Sequence, residues 1–250
     1  MGPISFLHSK PGQWAGMLGR FIASWWRMLH LAAVAIVMAL SPSTYNRANS
    51  VIISRFLYTS TWQVLPWFTL LAALVSMVLI RIVLVTALSY GLSRYALEMV
   101  VRVLVLELIP LSAALFVALR AGLVAGPAMA QVQRDLVPRV IANAFAVLSL
   151  AMVSSVIVLL LAYLNVYGFS PWGLGDYTRT VGRVFEPVVT IGFALKTVLF
   201  GLAVAVIPMA ATLEVRRYGH RPSTTVQPGA VRMLLVLVMI EGLSLAVKYI

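Results

Sequence analysis

The sequence predicts an all-α integral membrane protein in which an N-terminal interfacial amphipathic helix precedes five transmembrane helices. Two observations carry this. Of 250 residues, 62% are apolar and 10% are charged, whereas soluble domains run near about 45–50% and 25%. No water-soluble fold of this size has enough interior to hide that excess. The apolar residues are also gathered into stretches of roughly 20 or more, the length that crosses a bilayer as a helix. A soluble enzyme and a disordered chain are both excluded. The absence of cysteine removes disulfides, thiolate metal sites and thiol catalysis.

Residues 1–61 read as an N-terminal cytoplasmic and interfacial helical region, and residues 62–250 as a five-helix transmembrane domain. The stretch Trp14 to Leu40 is apolar in aggregate but interrupted by Arg20, Arg27 and His30, with Trp25 and Trp26 beside them. Its uninterrupted apolar run, Leu31 to Leu40, is too short to span. Interleaved aromatic and basic residues suit a helix in the headgroup plane; a sixth span is the alternative reading. A secretory signal is disfavoured by the long basic region and by Pro42 at the only cleavage point. Val51 to Tyr58 continues the surface layer.

The first span runs from about Trp62 to Tyr90 and contains Arg81. The second, Tyr95 to Ala121, carries Glu98, Arg102, Glu107 and Arg120, with Pro110 as a kink. The third, Val140 to Leu164, is uncharged. The fourth, Pro187 to Thr212, holds Lys196 alone, and the fifth, Ala230 to Ile250, holds Arg232, Glu241 and Lys248. With the N-terminus cytoplasmic, Lys10, Arg20, Arg27, Arg47, Arg55, Arg120, Arg134, Arg139, Arg216, Arg217, Arg221 and Arg232 fall inside. Only Arg94, Arg179, Arg183 and Lys248 fall outside. That asymmetry satisfies the positive-inside rule. It also accounts for the net charge of +12 without a nucleic-acid partner, for which the basic loops lack a platform of interleaved aromatics.

Each charge within a span costs at least about 2.5–3.5 kcal/mol on insertion scales, so each calls for a partner or a water-filled path. Glu98 and Arg102 are four apart on one helix face and can pair locally. An antiparallel hairpin about Gly91–Ser93 brings Arg81 to the depth of Glu107, and a second, hinged near His220, brings Lys196 to the depth of Glu241. Structural ion pairs and a polar transport path are equally open readings of these residues. Gly122 and Gly126 have the small-xxx-small spacing of close helix approach, but Pro127 follows at once and favours a helix end. No phosphate-binding glycine loop, histidine ligand spacing or Ser-His-Asp constellation is present, so neither a cofactor nor a metal site is expected. Energy input must then come from a partner or an ion gradient.

Spans two to five resemble the MlaE/YrbE permease family, the membrane subunits of MCE-associated ABC transporters that move phospholipids across the Gram-negative envelope. The string Leu106-Glu107-Leu108-Ile109-Pro110, followed by Ala113 to Gly122, is similar to the family's "RELGPxxxALLxAGRxG", with Glu107, Pro110, Arg120 and Gly122 in register. Pro138-Arg139 resembles its "PR", Gly168-Phe169-Ser170-Pro171 its "GVSP", and Leu195 to Gly201 its "xKSxxFG". Glu241 falls about where the family carries an aspartate. The resemblance implies a dimeric permease in the bacterial inner membrane, homodimeric or paired with a related permease. An ABC ATPase would dock on its inner face and an MCE-domain lipid-binding protein on its outer face, with phospholipid as cargo. The chain departs from the family between "AGRxG" and "PR". Only Leu123 to Val137 lies there, with no recognisable "EQxxALxxMGxDP" coupling stretch, leaving Gln131, Gln133, Arg134 and Asp135 to contact the ATPase. Two other readings stand beside the permease: a non-transporting scaffold subunit of such a complex, and an ion-driven carrier relaying protons through the intramembrane pairs.

The cysteine-free chain makes topology directly testable. Ser93→Cys is expected to react with an impermeant maleimide from the outside of intact cells, and Ser223→Cys only after permeabilisation; the opposite pattern overturns the orientation.

Overall fold

The computed structural model describes residues 47–124, 136–218 and 229–249, with isolated positions between 23 and 41. Helix α1 (Arg47–Leu57) passes through a π-helical turn (Tyr58–Trp62) into α2 (Leu65–Ser89). Helix α3 (Ser93–Met99) widens into a nine-residue π-helix (Val100–Leu108) and narrows again to α4 (Ile109–Val124). Then follow α5 (Leu136–Tyr167), a single 3-10 turn (Pro171–Gly173), α6 (Leu174–Val184), α7 (Pro187–Tyr218) and α8 (Ala230–Tyr249). No strand occurs among the described residues. Among the described residues, five segments are long and apolar enough to cross a membrane: Ile53–Ser89, Tyr95–Arg120, Pro138–Tyr167, Pro187–Ala211 and Ala230–Lys248. The protein is an all-α, multi-pass membrane protein.

The first segment begins earlier than the hydropathy of the sequence indicates. Arg47 and Arg55 break the apolar run there, yet α1 docks on α5 and buries Ile53 to 5% exposure. Residues 51–58 are thus held against the bundle, not merely laid beside it. Most of the expected interfacial helix, Trp14 to Leu40, lies outside the described residues. Among its described positions, Trp25 packs on the core while Trp26 is exposed.

Helix α5 is the axis of the bundle and contacts α1, α2, α4 and α7. The seams are built from small or slender side chains: Ala113, Ala114, Ala146, Val147, Leu150 and Val204 are wholly buried, with Phe200 filling the space between. Lipid tails are as apolar as leucine, so close van der Waals fit has to supply what hydrophobic exclusion supplies in water. Backbone approaches backbone closely at Gly201 of α7, where an added Cβ would lie 2.9 Å from both Cα and the carbonyl oxygen of Ala144.

Proline is handled by changing helical pitch. Pro110 has no N–H, and in an α-helix its ring would collide with the carbonyl four residues back. The preceding π-helix moves that carbonyl out of the way, and the Ile109 N–H donates to Leu104 O, five residues back. Pro110 therefore sits buried in a continuous span, directly after a widened segment.

Beyond α5 the chain turns at Gly168 (φ +65°) and α6 packs on α3 and the π-helix of span two. Its apolar face presents Tyr177 and Val184 to the core, and Asp176, Arg179 and Arg183 are exposed. The Tyr177 hydroxyl donates to Leu159 O at 2.7 Å. Burial pushes its pKa up to about 12, so it keeps that proton. This strap delivers the chain to Pro187 and the start of α7.

Gly201→Ala is expected to destabilise the protein by about 1–3 kcal/mol through overpacking against Ala144. Gly242→Ala, whose Cβ would meet nothing within 4 Å, is expected to leave the melting temperature in detergent unchanged or raised. Equal melting temperatures for the two variants would refute the close seam.

Candidate functional site

Four intramembrane charges converge from three spans. Glu107 projects from the π-helix of span two, Lys196 from α7, and Glu241 and Lys248 from α8. Lys196 hydrogen-bonds to Glu107 Oε2, and its Nζ lies 3.4 Å from Glu241 Oε2. Lys248 donates to Glu107 Oε1 at 3.0 Å. Lys196 is only 3% exposed, so both carboxylates are needed to offset the loss of its hydration.

The helices place these groups for identifiable reasons. Glu241 and Lys248 are seven residues apart, two turns on one face of α8. Glu107 lies three residues before Pro110, in the segment whose wider pitch rotates it away from the face it would occupy in an α-helix.

Beside this cluster a cavity of about 510 Å³ opens between span two, α7 and α8. Its walls are apolar, formed by Leu106, Val189, Phe193, Leu199, Ile240 and Val247. Its polar lining consists of Glu107, Lys196, Lys248, Ser244 and, immediately before α7, the exposed Glu186. The volume lies in the ordinary range of ligand pockets, about 300–1,000 Å³. Apolar walls around a few fixed charges suit an amphiphile better than a wholly polar solute.

The structure sorts the residues expected from sequence. Lys196 and Glu241 meet, and Glu98 and Arg102 pair at 2.8 Å on a partly exposed face. Arg81 and Glu107 do not meet: Arg81 is exposed on α2 and makes no ion pair among the described residues, and its place beside Glu107 is taken by Lys196 and Lys248. Hairpin arithmetic gives depth but not azimuth, and Glu107 faces α7 and α8. Arg120 donates to Thr59 O at 2.9 Å, and Arg139 stacks over Phe56 at 5.1 Å, so these two residues grip the turn between α1 and α2. Gly122 falls in the last residues of α4, whereas Gly126, Gln131, Gln133, Arg134 and Asp135 lie outside the described residues. Lys248 was assigned to the outer surface by the charge count; its seven-residue spacing from Glu241 was the available signal for its membership.

Compared with models of known families, the chain matches one described as Permease MlaE over residues 53–131 and 127–247. It matches none of the curated proteins with which it was compared.

Lys196→Met leaves two half-buried carboxylates without their shared ammonium, Glu107 keeping only Lys248, and is expected to lower stability by about 1–3 kcal/mol, read as lost thermal stability and lost monodisperse protein in detergent. Arg81→Met is expected to change neither. A destabilising Arg81→Met with a tolerated Lys196→Met would reverse the assignment.

Proposed function

The chain belongs to the MlaE permease family, and on that premise we propose that it is the membrane subunit of an ABC-type phospholipid transport system in a bacterial inner membrane. The family makes it a transporter subunit, a lipid-transport permease, and not an enzyme. The observation that carries the finer reading is a cavity whose lining is mostly apolar and holds only a few charged groups. Acyl chains need no hydrogen-bond partners and can lie along Leu106, Phe193 and Ile240, while the headgroup meets Glu107, Lys196 and Lys248. A sugar or ion path would need polar groups along its whole length.

In this reading the N-terminus is cytoplasmic. The cavity then opens toward the outer ends of α7 and α8, where an MCE-domain protein would receive or deliver lipid. ATP hydrolysis belongs to a partner subunit on the inner face. A second copy, or a related permease, completes the lipid path. The weakly buried α8, with Val231, Leu235 and Val238 exposed, supplies an apolar surface for lipid or for that copy.

One observation favours a scaffold role instead. The family match comes in two pieces that meet at residues 127–131, where the sequence has no recognisable coupling stretch. A scaffold would assemble with the ATPase without stimulating it.

Gentle-detergent purification of the tagged protein is expected to recover an ATPase and an MCE-type protein. ATPase activity of the assembled complex is expected to fall when this subunit is omitted. Unchanged activity with intact assembly selects the scaffold. Recovery of neither partner, under conditions that preserve related complexes, overturns the permease reading.

A further inference from the structure

We infer that the cavity selects a zwitterionic, ammonium-bearing phospholipid headgroup over an anionic one, with Glu186 as the specificity-determining residue. This inference rests on the reading of the cavity as a lipid path.

The argument is one of charge. Glu107, Glu186, Lys196 and Lys248 line the cavity, and Glu241 adjoins Lys196. Three carboxylates therefore stand against two ammonium groups, and both ammonium groups are already engaged. Lys196 lies between Glu107 and Glu241, and Lys248 is bonded to Glu107. The charge left over belongs to Glu186, which is exposed and makes no ion pair among the described residues.

An anionic headgroup can also bring its phosphate to Lys248, but it offers no ammonium to Glu186 and adds negative charge beside that unpaired carboxylate. A zwitterionic headgroup adds none. Its phosphate can share Lys248, the more accessible of the two lysines at 16% exposure against 3%, while its ammonium meets Glu186. Ser244, on the same wall, can donate to a phosphate or glycerol oxygen. The apolar walls hold the chains, so a water-soluble headgroup fragment lacks most of the contact.

The test uses the full chain in nanodiscs of equal parts phosphatidylethanolamine and phosphatidylglycerol. Trace analogues of each lipid carry a photoreactive acyl chain, and cross-links to α7 and α8 are located by mass spectrometry. Discrimination by an exposed ion pair predicts about two- to fivefold more cavity labelling by the phosphatidylethanolamine analogue. Glu186→Gln is expected to bring the ratio near one, and Glu186→Lys to invert it. Excess glycerophosphoethanolamine is expected not to displace the label. Equal or preferential labelling by phosphatidylglycerol in the natural sequence, or a ratio unmoved by both substitutions, overturns the selectivity and leaves the lipid path standing. Displacement by the soluble fragment overturns binding as a lipid. Failure of both analogues to label the cavity overturns the selectivity and the lipid path beneath it.

Discussion

The buried ammonium of Lys196 is the interaction on which the arrangement of spans two, four and five depends. Helix α8 packs chiefly on α7, and only 11% of its most apolar window is buried. Neighbouring lipid is as good a solvent for its valines and leucines as α7 is. What distinguishes the docked position is that Glu241 and Lys248 there find Lys196 and Glu107, partners that lipid cannot supply. The ion cluster acts as a fastener, with an energy set by how badly each charge would fare alone.

That fastener constrains the rest of span two. For Glu107 to reach both lysines, the helix must present it toward α7 and α8 while Leu104, Val105 and Ile109 stay buried in the core. The π-helix before Pro110 provides the required rotation, and the proline explains why a wider pitch is tolerated at that point. Removing Pro110 would make an ordinary α-helix available and so change the direction in which Glu107 points.

Much of this was legible in the sequence, and the limits have physical causes. Span positions follow from runs of apolar residues, because a bilayer imposes a length and excludes unpaired backbone. The Lys196–Glu241 contact follows from depth, since α7 and α8 form adjacent antiparallel helices. The expected Arg81–Glu107 contact failed because depth says nothing about which way a side chain faces, and the π-helix turns Glu107 away. The helical segment leading into span one also begins earlier than hydropathy indicates, because two arginines interrupt the apolar residues of α1. Lys248 is hidden for a related reason: a lysine in the last turn of a span reads as an interfacial anchor until its partners are known.

The four clustered charges also have an electrical consequence. Two carboxylates and two ammonium groups sum to zero. A membrane potential does about 2.3 kcal/mol of work per elementary charge per 100 mV, but only on net charge that moves through the field. If the cluster shifts as a unit during a transport cycle, that work vanishes, and a zwitterionic cargo riding with it adds nothing. In that case voltage neither drives nor opposes the movement of the cluster.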